Sequence, residues 1–279
     1  MKEGTQHGPS DAAATTLPRV LLVEDDAVSA AFMAEAVAST PAQVMLASSI
    51  GEALRLAERG EFELCLIDAH LPDGDGSALL AALRARGEHA PALAHTAETA
   101  RTVLDRLIEA GFEEVLIKPL SVAALQGTVR RFASMQVCAF ARGHAHAGAP
   151  HAAQPAPQQA QPSGRKYPLW DEDAALRAMN GNPAHVDAMR RLFRAELPEQ
   201  SRRIRAAISE NATDGLRTEL HKLIASAGFV GAARLAEHAR SLQTHLSHAA
   251  SEHAGMQDEG VRRACAQLEG TLADTLDSV

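Results

Sequence analysis

The chain has 279 residues, 46% of them apolar, and a formal net charge of −8 at pH 7. That length suggests about two domains at ~100–200 residues each, and the apolar share is ample for packed cores. The acidic balance, with one Trp and one Tyr, argues against a phosphate-binding or base-stacking surface for nucleic acid.

Residues 1–18 are polar and small and are read as a disordered tail without the apolar core of a signal peptide. No apolar run approaches the roughly 18–20 residues that span a bilayer, so no membrane partner is expected. Cys65, Cys138 and Cys265 are odd in number and widely spaced. They imply a reducing compartment and a cytoplasmic protein rather than a disulfide framework.

From residue 19 onward, apolar runs alternate with helical patterns five times. The runs are 19–24, 42–47, 62–67, 91–95 and 113–117, nearly continuous in apolar character, as strands buried on both faces should be. Helical patterns cover 27–38, 50–59, 76–86, 98–110 and 121–134, with Asp26, Ser49 and Ser121 expected as N-caps. The alternation predicts an α/β doubly wound parallel five-stranded sheet over 19–134. A nucleotide-binding Rossmann half competes with it, but no G-x-G-x-x-G follows the first strand.

Polar groups close these runs. Glu24 and Asp25 follow the first, Asp68 the third, Thr96 the fourth and Lys118 the fifth. In an open α/β sheet that edge binds ligands. Three carboxylates, a hydroxyl and an ammonium suit a divalent cation and a phosphoryl group. Asp73-Gly74-Asp75-Gly76 resembles a calcium loop superficially, but the later glycine and bidentate Glu are missing, so it reads as a turn.

Residues 139–166 are Ala, Pro, Gln and His with almost no large apolar side chain, and they read as a linker. His144, His146 and His151 lie there without cysteine or acidic neighbours, which favours compositional bias over a metal site. From Tyr167 only helical periodicity appears. Four apolar stripes run through Val186–Ile208, with Pro198 a candidate kink, then Leu216–Ala227, Leu235–Leu246 and Val261–Leu276. With a short helix before them, they predict an all-α four-helix-bundle domain over 167–279. His221 follows Leu220 and stands about 100° off its stripe. It should therefore face solvent.

The segments VLLVEDD (20–26), LIDAHLPDGDG (66–76), LAHTAE (93–98) and LIKP (116–119) resemble the receiver domain of bacterial two-component systems. The resemblance implies a flavodoxin-like fold in which Asp68 accepts a phosphoryl group. It also implies Mg²⁺ held by Asp25, Asp68 and the backbone carbonyl of His70, with Glu24 acting through a water. Thr96 and Lys118 would contact the phosphoryl oxygens, and the Lys118–Pro119 bond would be cis. Val115 stands where the family usually carries an aromatic switch residue, which implies weaker coupling of phosphorylation to the 98–120 surface. His70 and Glu98 occupy positions that vary in the family and tune dephosphorylation.

LHKLIASAGFVGAARLAEHARSLQ (220–243) resembles the core of a histidine phosphotransfer (Hpt) domain, with His221 as the phosphorylated histidine. Ile224 replaces the usual lysine and Ala225 the usual glycine, which implies slow transfer. Together the two resemblances imply a phosphorelay protein without a kinase catalytic domain, since no Gly-rich nucleotide loop is visible. Its partners would be a histidine kinase or other phosphohistidine donor, and the receiver domain of another response regulator. The alternatives are a phosphorylation-gated interaction module with a degenerate docking domain, or a phosphate sink. The linker would also let Asp68 and His221 meet within one chain.

Overall fold

The computed structural model describes residues 17–140, 167–251 and 255–278. Most of the expected tail and linker, with His144, His146 and His151, lies outside the described residues.

The first half is a five-stranded sheet, all parallel, in the order β2-β1-β3-β6-β7. Its strands are β1 (Arg19–Val23), β2 (Gln43–Ala47), β3 (Leu64–Asp68), β6 (Ala92–Thr96) and β7 (Glu114–Ile117). Two-residue strands β4 (His70–Leu71) and β5 (Gly74–Asp75) pair antiparallel just past β3. The helices are α1 (Ala27–Ala38), α2 (Ile50–Ala57), α3 (Gly76–Ala85), α4 (Arg101–Glu109) and α5 (Val122–Phe140).

Successive strand residues face opposite sides, and the two cores follow that alternation. Val20, Leu22, Leu64, Leu66, Leu93 and Leu116 pack with α1 and α5 through Phe32, Met33, Val37, Leu125 and Val129. Leu21, Val23, Cys65, Ile67, Ala92 and Ala94 pack on the other side with Ala53, Leu79, Leu83 and Leu107. Asp26, Ser49 and Ser121 accept hydrogen bonds from first-turn amides as expected. Asp73 adds a cap from outside its own helix, accepting from Ile50 N at 2.8 Å and Gly51 N at 3.0 Å. The segment 73–76 is thus a turn with an anchoring role.

Two boundaries differ from the pattern. α4 begins at Arg101 rather than at 98, because Glu98 donates its N–H to the Thr96 hydroxyl instead of opening a helix. α5 runs on to Phe140, since residues 135–140 contain no Gly or Pro to stop it.

The second half is helical: α6 (Glu172–Ala178), α7 (Pro183–Ser209), α8 (Thr213–Val230), α9 (Ala233–Ser251) and α10 (Glu259–Asp277). Pro198 lies inside α7, which continues through it. The four long helices bury the expected stripes, including Phe193, Leu197, Ile204, Leu220, Leu223, Leu235, Leu242, Leu268 and Leu272. Two apolar clusters cross between the halves. Val28 and Ala97 of the first half join the bundle core, and Ala175, Met179, Val186 and Phe229 join the α1/α5 core.

Candidate phosphoryl-transfer site

Parallel pairing places the C-terminal ends of β1, β3, β6 and β7 side by side, and the expected residues converge there. Lys118 Nζ lies 2.5 Å from Glu24 Oε2 and 2.5 Å from Asp68 Oδ2. Thr96 is buried at the end of β6, and its carbonyl accepts from Lys118 N at 2.7 Å. His70 N donates to Asp68 Oδ1 at 2.9 Å, which sets its backbone beside the acceptor. The Lys118–Pro119 bond is cis. The backbone around Asp68 tolerates no side chain at Gly76, where a Cβ would lie 2.2 Å from the Asp68 carbonyl oxygen.

Burial and charge oppose each other in this pocket. Burial pushes the Asp68 carboxyl up, but the neighbouring Lys118, His221 and His95 together hold it well below the usual carboxylate range. Burial drives the Glu24 carboxyl well above its range; Lys118 opposes this, and Asp68 and Asp26 add to it. Burial alone would lower the Lys118 ammonium, yet Asp68 and Glu24 raise it, so it stays charged. One ammonium thus serves two buried carboxylates. The carboxylates of Glu24 and Asp68 bring hard oxygen donors together, which fits Mg²⁺, while Asp25 is paired with Lys222.

His95 was not foreseen as part of the site. It is wholly buried, with Nδ1 3.5 Å from Glu24 and 3.7 Å from Asp68. Burial and then Lys118 push its pKa down to about 3, so it is neutral and packs beneath the carboxylates. A titratable residue directly before Thr96 in an otherwise apolar run was the available signal.

His221 departs from its expected place. It does project off the apolar stripe of α8, yet it is only 4% exposed, because the first half of the chain covers that face. Its Nε2 lies 3.6 Å from Asp68 Oδ1, and its ring is 4.7 Å from the His70 ring. Neither ring nitrogen of His221 has a hydrogen-bond partner. Ile224 and Ala225, expected beside an open histidine, are buried as well.

Further contacts across the halves surround this pair. Lys222 Nζ lies 2.7 Å from Asp25 Oδ2. Gln243 donates to Glu98 at 2.7 Å. Phe229 stacks on Phe32 with ring centroids 4.1 Å apart. None of these pairings is legible in either segment taken alone.

Residues 20–130 match the family model of the response regulator receiver domain, and residues 188–278 match that of the Hpt domain. The chain is a receiver–Hpt protein. The receiver part is 30% identical over 116 residues to the transcriptional regulatory protein PcoR of Escherichia coli, covering 41% of this chain and 50% of PcoR. A longer match, 23% identical over 232 residues, is to the sensor histidine kinase GacS of Pseudomonas protegens, covering 81% of this chain and 24% of GacS. The chain therefore spans half the length of PcoR and about a quarter of GacS. Among solved structures, the signal receiver domain of a putative Luxo repressor protein from Vibrio parahaemolyticus is 26% identical. That match covers 46% of this chain and 98% of that one, with a TM-score of 0.42. No helix among the described residues of the receiver–Hpt chain is long and apolar enough to cross a membrane. Cys65 and Cys265 are free and buried, and burial lifts the Cys65 thiol to about 12, so it is inert at neutral pH.

Proposed function

We propose that the receiver–Hpt chain is a phosphorelay protein in which Asp68 and His221 exchange a phosphoryl group with each other. The observation that carries this is the 3.6 Å approach of His221 Nε2 to Asp68 Oδ1. Both His221 nitrogens are buried without a hydrogen-bond partner, which costs about 1–3 kcal/mol and leaves the Nε2 lone pair uncommitted beside Asp68.

In the forward step the Nε2 lone pair forms a P–N bond. The P–Oδ1 bond breaks, its electron pair returns to the Asp68 carboxylate, and the Nδ1 proton leaves to water. The reverse step loads Asp68. A productive approach needs reacting atoms about 3–3.5 Å apart with phosphorus already bonded to one of them. The 3.6 Å separation therefore belongs to the empty pair, which must part by about 1 Å to admit the group. Asp25, Asp68 and the His70 carbonyl would hold Mg²⁺, and Glu24 a water of its shell. When bound, the ion offsets charge repulsion at the phosphoryl oxygens. Lys118 and Thr96 would contact the same phosphoryl oxygens. The phosphoryl group would enter from a histidine kinase or other phosphohistidine and leave to the receiver domain of another response regulator, in the reducing cytoplasm.

The experiment loads the full chain with labelled acetyl phosphate and Mg²⁺. Label should appear first on Asp68 as an alkali-labile acyl phosphate, then on His221 as an acid-labile phosphoramidate. His221→Gln should hold the label on Asp68, and Asp68→Asn should take up none. Label reaching His221 in Asp68→Asn would overturn the assignment.

A further inference from the structure

The contacts around the Asp68–His221 pair are apolar where transfer to many partners would favour polar ones. Ile224 stands where the resemblance expects an ammonium, and it is buried in one cluster with Val28 and Ala97 of the receiver. Phe229, two turns beyond His221 on α8, is fully buried and stacks on Phe32 of α1. Gly228 lies against Pro119, and a Cβ there would meet the proline ring at 3.0 Å. Polar pairs close the rim, Lys222 with Asp25 and Gln243 with Glu98. Inside this ring Asp68 is 1% exposed and His221 4%. No other protein can reach either atom while the ring is shut.

We propose that Phe32 stacked on Phe229, with Ile224 buried in the cluster that also takes in Val28 and Ala97, reserves His221 for the Asp68 of its own chain. The partner of this Hpt domain is its own receiver, and the apolar seal is the specificity determinant. Exchange with any other phosphohistidine or receiver requires the seal to part, which exposes Phe32, Phe229 and Ile224 to water. That cost makes the internal exchange the default route. The inference rests on the phosphorelay reading above and names the partner within it.

The test uses full-length chains. For the internal route, the intact chain is loaded on Asp68 and the arrival of label at His221 is timed. For the external route, an Asp68→Asn chain is labelled at His221 with phosphoramidate and mixed with a His221→Gln chain. At ~1 μM, the internal rate should exceed the external by about a hundredfold or more, because the tethered pair meets at an effective concentration in the mM range. Phe229→Glu should slow the internal route and speed the external one, each by about tenfold. Phe229→Leu, which keeps an apolar side chain, should fall between wild type and Phe229→Glu on both routes. Misfolding cannot speed either route, so the opposite signs identify the seal. If Phe229→Glu slows both routes or alters neither, the proposal is overturned. Loss of Asp68 labelling by acetyl phosphate in the His221→Gln chain would instead overturn the phosphorelay reading itself.

Discussion

Lys118→Met tests the electrostatics of the pocket most directly. The ammonium sits 2.5 Å from both Glu24 and Asp68, and all three side chains are 1% exposed. Methionine fills a similar volume but leaves two buried carboxylates without their cation. Removing one partner of such a pair costs about 3–5 kcal/mol, against a total stability of about 5–15 kcal/mol. At about 2–4 °C per kcal/mol for a chain of this size, the melting temperature should fall by roughly 6–20 °C. The pH dependence fixes the sign. In the native chain the Asp68 carboxyl is held low. Its contribution is full above the unfolded value of about 3.9 and is lost as pH falls through the lower folded value. In the variant burial dominates and raises Asp68, so ionising it opposes folding and stability declines as pH rises through the raised value. The deficit should therefore be largest at pH 7 and shrink as pH falls toward about 4. Mg²⁺ at a hundred times its dissociation constant should return about 2.7 kcal/mol. The assay is thermal denaturation at pH 7 and 4.5, each with EDTA and with Mg²⁺. A variant that melts like wild type in EDTA at pH 7, or a deficit that grows on acidification, would refute the reasoning.

Gly76→Ala drives a methyl toward the Asp68 carbonyl, 2.2 Å from the ideal Cβ; it should destabilise the chain by about 3 kcal/mol or more in urea unfolding, and a shift under 1 kcal/mol would show that the turn gives way. Ile224→Lys places an ammonium in the cluster with Val28 and Ala97. An unpaired polar group there costs about 1–3 kcal/mol, which is roughly 5–150-fold in a docking equilibrium. Internal transfer to His221 should slow accordingly, whereas faster transfer would restore the view that a missing cation limits the rate. Val115 is half-buried against the α2–α4 side of the sheet and offers no aromatic ring to reorient. Amide shifts on adding Mg²⁺ and beryllofluoride should be large near Asp68 and Thr96 and small near Val115, and equal shifts would count against weak coupling.

The receiver was legible from local pattern because its site lies at the ends of its own strands. Once the runs before Glu24, Asp68, Thr96 and Lys118 are read as parallel, sheet geometry brings those residues together. Caps at Asp26, Ser49 and Ser121 are local for the same reason: donor and acceptor are three residues apart. His95 escaped notice because an apolar run hides one polar member, and its neighbours Glu24 and Asp68 come from other strands. The Asp73 cap on α2 is likewise a contact across more than twenty residues.

His221 marks the limit most clearly. Helical periodicity reports which face of α8 meets its own bundle, and by that measure His221 looks outward, as it does. Periodicity carries no information about what arrives on the outward face from another domain. The burial of His221, Ile224 and Phe229 is decided by the fit of two surfaces that are distant in sequence. On the helical side the sequence shows only a mildly apolar patch at Ile224 and Ala225 beside His221. The sequence by itself determined both fold classes, because strand runs and helix stripes are set by near neighbours, and its motifs marked Asp68 and His221 as candidate phosphoryl carriers. That the two residues face each other at 3.6 Å was decided only by tertiary structure, since shape and apolar complementarity between distant segments leave no periodic trace in either.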